Sequence, residues 1–395
     1  MGGEHMQHLD ELLAAELDDL DRVQARRSCP ELSGRSRVHV SVASRPALSF
    51  ASNDYLNLAA DPRVAAAAAE TAQREGYGAS AARLVSGDLP AHRELERRLA
   101  SFLDRPAALV FPSGYQANLG VVTALAGPDD LIVSDALNHA SLIDGCRLSR
   151  ARVAVFPHAS AAGAAAALAS APSARRRLLV TESLFSMDGD AAPLADLAEV
   201  ARNSDAILVV DEAHALGVHG PAGRGLCAGA GVVPDVLVGT LGKAFGAGGG
   251  FIAGSTLLRE YLVNRARTFI FTTALPAPVA AAAARALEIA AGPEGDQRRA
   301  TLAALGRELG ERLAALGGHN PGGQPPIGPI FPFLLGANDR ALAVSAELRR
   351  RDIFVPAIRP PTVPAGTARL RITLSAGHAS QDLQRLTDVL AELAR

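Results

Sequence analysis

Six short apolar runs, at 107–111, 131–133, 153–156, 178–181, 207–210 and 236–238, recur through the middle of the chain with segments of helical character between them. Each run is apolar on consecutive residues rather than on alternate ones, so both faces of the strand it forms must be covered. Such strands alternating with helices predict an α/β fold, with a mostly parallel central sheet and helices on both sides. Ligands of these sheets bind beyond the carboxyl ends of the strands. The residues that follow each run are therefore where chemistry is expected.

The flanks read differently. Leu9, Leu12, Leu13, Leu17, Leu20 and Val23 fall at near-helical spacing and predict an amphipathic helix over 8–27. Helices are also expected over 62–75 and 90–103, with a short strand at 48–51 and a glycine-containing loop at 76–87. Past residue 291 the alternation stops at Gly292-Pro293-Glu294-Gly295, and the remainder suggests helices near 297–316, 339–350 and 381–394 around strands near 330–335, 353–357 and 369–374. At 395 residues the chain exceeds what one core usually organises. The expected division is an N-terminal helix and arm over 1–48, a large domain over 49–291 and a smaller C-terminal α/β domain over 292–395.

Several strand ends carry unusual polar residues. After 236–238 comes Thr240-Leu241-Gly242-Lys243, and Lys243 is the only lysine in the protein, every other Lys or Arg being arginine. A lysine after a glycine is ordinarily a solvated turn residue. Here it is set among glycines and apolar residues, where desolvation lowers an amine's pKa toward that of a Schiff-base nucleophile, a role closed to arginine. The glycines do not form a Walker A loop, since position 237 is Leu and Ala244 follows the lysine. Gly248, Gly250 and Ala253 fit only a loose dinucleotide fingerprint and lead into a strand rather than a helix.

The 207–210 run ends in Asp211-Glu212-Ala213-His214. Asp211 either caps a turn or, if buried, needs a cation or a protonated ring nitrogen. The 107–111 run leads to Ser113-Gly114-Tyr115-Gln116, where Ser113 can cap a helix whose first amides suit a phosphate. The 178–181 run ends in the polar turn Glu182-Ser183-Leu184-Phe185-Ser186-Met187-Asp188-Gly189, and Asn138-His139 follows the 131–133 run. Histidines of this kind are as often structural as catalytic. Taken together, an amine, a carboxylate, an imidazole and a phosphate-binding helix start are the parts that hold pyridoxal phosphate as an electron sink.

Composition narrows the remaining classes. The formal charge is −2 and the basic residues are dispersed, apart from Arg175 to Arg177, which leaves no footprint for nucleic acid. Cys29, Cys146 and Cys227 are isolated, so neither a disulfide framework nor a metal site is expected. The acidic residues among the first twenty do not fit a signal peptide, and the alanine runs are too short to span a membrane. A cytoplasmic protein that neither enters nor binds a membrane is the expectation.

The motifs Ser52-Asn53-Asp54-Tyr55-Leu56, Ser113 to Asn118, Thr181 to Asp190, Asp211 to His214, Thr240 to Lys243 and Ala357 to Arg371 together resemble the α-oxoamine synthase family of fold-type I pyridoxal-phosphate enzymes, over about 26–395. The resemblance implies a Schiff base on Lys243, Asp211 against the pyridine nitrogen, His139 and Ala213 on the two ring faces, and Ser186 and His214 at the ring hydroxyl. It implies phosphate binding by the Gly114 and Tyr115 amides with Thr240, and by Thr272 and Thr273 of a neighbouring subunit, hence a homodimer with shared active sites. Arg371 would clamp the amino-acid carboxylate, with Asn53 and His139 at the substrate. Arg26, or Arg27 beside it, and Thr362 would meet the acyl chain. The implied reaction is the decarboxylative condensation of L-alanine with pimeloyl-CoA or a pimeloyl carrier protein. Glycine C-acetyltransferase chemistry is the alternative within the family, with 5-aminolevulinate and serine palmitoyltransferase chemistry behind it. A non-catalytic pyridoxal-phosphate or nucleotide-binding module is the rival from another class.

Overall fold

A computed structural model describes residues 2–34, 38–318 and 325–393. At its centre is a seven-stranded sheet in the order Ala107–Phe111, Gly250–Gly254, Val236–Thr240, Ile207–Asp211, Arg177–Glu182, Leu131–Asp135, Arg152–Phe156. All neighbouring pairs are parallel except those of Gly250–Gly254, which runs antiparallel to both of its neighbours. The six runs thus form the sheet, and the segment returning from Lys243 wedges between the first and last of them. Gly250 pairs with both Phe111 and Thr240, so the Lys243 turn lies at the carboxyl edge of the parallel strands.

Two apolar layers explain the consecutive apolar residues. On one face Ile132, Val180, Val209 and Val238 pack with Ala117, Val121, Leu142 and Leu262 from the helices Gly114–Leu125, Ala140–Ser149 and Thr256–Arg265. On the other, Val133, Leu179 and Val210 meet Leu168 and Leu197 from Ala161–Ala169 and Leu194–Asn203. Several helix starts have a side-chain cap, among them Asp61, Ser113, Ser160 and Ser255, and each cap satisfies a first-turn amide that has no acceptor within its helix.

Some strands run further than their apolar residues suggest. Asp135, Glu182 and Asp211 are all inside strands, because ladder pairing continues past the last apolar side chain. The helix predicted over 8–27 is Gly2–Arg22; Gln24 adopts a left-handed φ of 55° and ends it. At 292–295 the interruption is narrow: Gly292 ends Ala277–Ala291, and Pro293, which needs no amide hydrogen bond at a helix start, opens Pro293–Ala315. The strand expected over 353–357 is two. Ile353–Phe354 pairs in parallel with Arg45–Ser49, whereas Ala357–Ile358 pairs with Ala368–Thr373, which also pairs with Ile330–Gly336. Pro356 lies at the division, where its missing amide forbids a continuous ladder. The segment around 39–49 is thereby stitched to the C-terminal part of the chain. Among the described residues no helix is long and apolar enough to cross a membrane, and no cluster could hold a metal ion.

Candidate active site

The turn from Thr240 to Gly250 is closed by Leu241 N donating to Gly249 O at 2.9 Å and Gly246 N donating to Lys243 O at 2.8 Å. Gly246 has a φ of 60°, and a Cβ there would lie 2.3 Å from Ala59 N, so only glycine lets this turn rest against the 58–59 backbone. Lys243 projects from it into the cleft, with Nζ 2.8 Å from Nε2 of His214. Desolvation lowers its pKa to about 8, aided by the Arg371 charge and opposed by Asp211 and Glu182. An appreciable fraction of the amine is therefore neutral near neutral pH.

Asp211, at the end of its strand, is buried. Its Oδ2 accepts from Asn118 Nδ2 at 2.7 Å and its Oδ1 from Ala213 N at 2.8 Å, with no cationic partner among the described residues. Such a carboxylate is suited to a protonated ring nitrogen. Asn118 is held in turn by Ser141 at 2.9 Å. Beside Asp211 in register is Glu182, buried, whose pKa is raised well above the usual carboxylate range by burial and by the Asp211 charge. Its Oε1 accepts from the His139 amide at 2.6 Å.

His139 caps the Ala140–Ser149 helix. Its Nδ1 accepts from Ser141 N at 3.2 Å, which leaves the hydrogen on Nε2 and fixes the ring at the open side of the cleft. His214, by contrast, is enclosed. Burial, reinforced by Lys243, Arg371 and His139, depresses its pKa well below the ordinary histidine value, so it is neutral.

The phosphate end is built by close approach of backbones. Ser113 Oγ accepts from Gln116 N at 3.2 Å, and the first-turn amides around Gly114 and Tyr115 have no acceptor inside the helix. A Cβ on Gly250 would lie 2.4 Å from Gly114 N, so the lysine-bearing hairpin touches the helix start only because position 250 is glycine. Thr240 sits at the same place, its Oγ1 3.6 Å from where a Gly114 Cβ would be. The Tyr115 hydroxyl donates to Asp144 Oδ2 at 2.5 Å.

The opposite wall of the cleft comes from the C-terminal part. Arg371 is buried, its Nε donates to Ser186 O at 2.6 Å, and its Nη1 donates to Asn53 Oδ1 and Thr373 Oγ1, each at 3.1 Å. No carboxylate pairs with it among the described residues, which fits a clamp for an incoming one. Two strand positions earlier, Arg369 does have an acid: Nη1 donates to Asp188 Oδ1 at 2.5 Å, both side chains being buried. The two arginines hold the 186–188 turn from one side. From the other, His158 bridges Asp135 at 2.9 Å and Asp190 at 3.0 Å.

After the first helix Arg27, rather than Arg26, meets Thr362: Arg27 Nη2 donates to Thr362 Oγ1 at 3.0 Å, whereas Arg26 Nη1 reaches Asp21 at 2.6 Å. Thr272 accepts from Gln116 Nε2 at 3.3 Å, near the phosphate helix of its own chain, and Thr273 is exposed beside it.

Lys243, Asp211, His139, His214, Thr240 and the Gly114–Tyr115 amides are thus brought to one edge of the sheet, with Arg371, Asn53 and Ser186 closing the cleft. The sequence alone assigns no role to Asn118, Ser141, Glu182, Tyr55 and Arg369, although all five lie in or beside the motifs quoted above. Among the described residues, an amine that meets a neutral imidazole rather than an acid, a buried carboxylate without a cation and an open helix start are chemically matched to the aldehyde, ring nitrogen and phosphate of pyridoxal phosphate.

The family model described as aminotransferase class I and II matches residues 45–390, and the chain belongs to this family. Its cofactor is pyridoxal phosphate. Among curated relatives, the 8-amino-7-oxononanoate synthase of Anaeromyxobacter dehalogenans is 52% identical over 384 residues, spanning 97% of this chain and 94% of its own. That of Bordetella petrii is 50% identical over 394 residues, spanning 98% of each. Among solved structures, serine palmitoyltransferase from S. paucimobilis superposes with a TM-score of 0.91 at 30% identity, over 97% of this chain and 96% of that one. The 8-amino-7-oxononanoate synthase of Francisella tularensis does so with a TM-score of 0.74 at 27% identity, over 88% and 97%.

Proposed function

We infer that the protein acts as an 8-amino-7-oxononanoate synthase, joining L-alanine to a pimeloyl thioester with release of the thiol carrier and carbon dioxide. The observation that carries this reading is identity of about half over nearly the whole chain to relatives of that name. When bound, pyridoxal phosphate supplies the electron sink that makes the amino acid's α-carbon acidic and then nucleophilic.

The chain's own residues do the rest. Arg371 binds the alanine carboxylate, and Asn53 orients the guanidinium by accepting from Nη1. Lys243, its pKa lowered to about 8, takes the α-proton as a neutral amine and returns one at the end. Asp211 would keep a proton on the ring nitrogen, with Asn118 and the Ala213 amide aiming the carboxylate. His139 would lie against one ring face and Ala213 against the other, and Ser186 and His214 would serve the ring hydroxyl. The Gly114 and Tyr115 amides and Thr240 would hold the phosphate. Arg27, backed by Thr362, receives the far carboxylate of the pimeloyl chain in preference to Arg26, which is engaged by Asp21.

The working molecule in this reading is a cytoplasmic homodimer, with Thr272 and Thr273 of one copy reaching the phosphate of the other. It is supported by apolar side chains left open on one copy: Tyr77, Val85 and Phe271, and the Leu9, Leu12 and Leu13 stripe of the first helix. Residues 49–291 act as the large unit and 292–395 as the smaller one that brings Arg371.

The test is thiol release by the purified protein with pyridoxal phosphate, comparing L-alanine plus pimeloyl-CoA with glycine plus acetyl-CoA. Faster release with the first pair, abolished in Lys243→Ala, is expected. Preference for the second pair would transfer the protein to glycine C-acetyltransferase chemistry, and turnover surviving Lys243→Ala would end the lysine-based mechanism.

A further inference from the structure

One buried hydroxyl beside the lysine has no part in the mechanism above. Tyr55 is fully buried, and its Oη lies 2.6 Å from Nδ1 of His214, whose Nε2 is 2.8 Å from Lys243 Nζ. The other acceptor for that hydroxyl, Asn53 Oδ1, is further away at 3.2 Å and already receives Arg371 Nη1.

A neutral imidazole has a single N–H, so one ring nitrogen donates and the other accepts. Two arrangements follow. In one, His214 donates from Nδ1 to the tyrosine oxygen and accepts at Nε2 from a lysine ammonium. In the other, the tyrosine donates to Nδ1, and Nε2–H donates to the lone pair of a neutral lysine amine. The Arg371 charge faces the Tyr55 oxygen, which turns the oxygen's lone pairs toward the guanidinium and its hydrogen toward the histidine. The short Tyr55–His214 contact agrees with the second arrangement.

We propose that Tyr55 is a positioning residue for Lys243: its hydroxyl donates to Nδ1 of His214, fixes that ring as the Nε2–H tautomer, and so aims a hydrogen-bond donor at the lysine nitrogen. Donation to the lone pair favours the neutral amine, the form that removes a proton. The groups facing Lys243 divide accordingly. Asp211 and Glu182 favour the ammonium, whereas burial, Arg371 and the His214 donor favour the amine.

This inference rests on Lys243 being the reacting amine, but its test needs neither substrate nor turnover. A chain with one lysine gives a single lysine side-chain resonance when only lysine is isotope-labelled. In the full-length protein freed of cofactor, that resonance reports the Lys243 titration directly. Histidine-selective nitrogen labelling reports which His214 nitrogen holds the hydrogen, the His214 signal being identified by its loss in His214→Asn. We expect a bare Nδ1 and a protonated Nε2 in the wild type. In Tyr55→Phe the lysine midpoint should rise by about one pH unit, the worth of one hydrogen bond. A hydrogen on Nδ1 in the wild type overturns the proposal, as does an unchanged midpoint in a Tyr55→Phe protein with a native near-ultraviolet spectrum. Should Tyr55→Phe fail to fold, the wild-type nitrogen pattern decides alone. Failure of the alanine reaction with the expected tautomer intact would count against the enzyme assignment and not against Tyr55.

Discussion

His158 and Arg369 show how single residues set the stage for those that react. Both anchor the turn that presents Ser186, one from each side. Burial alone would lower the pKa of His158, but Asp135 and Asp190 override it and raise the value to about 10. A histidine raised in the folded state stabilises fully below its unfolded value of about 6.5 and ceases to do so as pH climbs through about 10. In urea unfolding at a series of pH values, the advantage of the wild type over His158→Gln should therefore be largest near pH 6 and shrink toward pH 10. An advantage that grows with pH would contradict the doubly bridged imidazolium. Arg369→Met strands the Asp188 carboxylate in the interior, and a loss of about 3–5 kcal/mol is expected from the same unfolding measurement. Replacing Asp188 by Asn as well should return part of it, since no bare charge remains.

Residues differ in how well their chemistry can be read without coordinates. Lys243 stands out because arginine fills every other cationic position and cannot do its work. Asp211 is legible because a carboxylate directly after a buried strand needs a reason. Tyr55 and Glu182 gain meaning only through partners far along the chain, His214 for one and His139 and Asp211 for the other. Arg27 against Arg26 is a matter of register past the end of a helix, set by the left-handed Gln24, and no spacing rule contains that.

At the scale of elements, the contact between the lysine hairpin and the phosphate helix is the most exposed to test. In Gly250→Ala the added methyl would fall 2.4 Å from Gly114 N and 2.5 Å from its Cα, against backbone that cannot step aside. Pyridoxal phosphate should bind about tenfold more weakly, as read by absorbance titration, because overpacking of this kind costs about 1–3 kcal/mol. Unchanged affinity would mean that the helix start is not the phosphate site. The strands themselves were legible from their consecutive apolar residues. The insertion of Gly250–Gly254 between Ala107–Phe111 and Val236–Thr240 was not, since strand order is decided by packing across the whole sheet. The division at Pro356 could have been read, a proline amide being unable to continue a ladder.

For the whole molecule, the open apolar residues of the first helix and of the 77–85 loop predict a species of twice the chain mass in sedimentation at micromolar concentration. Thr272→Ala should leave that species intact while weakening cofactor retention; full retention by a monomer would remove the shared-site reading.

The solitary lysine also has a bearing on how the folded protein meets chemical reagents. Apart from the chain's amino terminus, its exterior offers no primary amine, so acylating dyes, surface-coupling esters and amine crosslinkers find almost nothing to modify. What they can reach is Lys243 in its cleft, and only while that nitrogen is not engaged. A plain colorimetric amine count then becomes a measure of how many active centres in a preparation are filled.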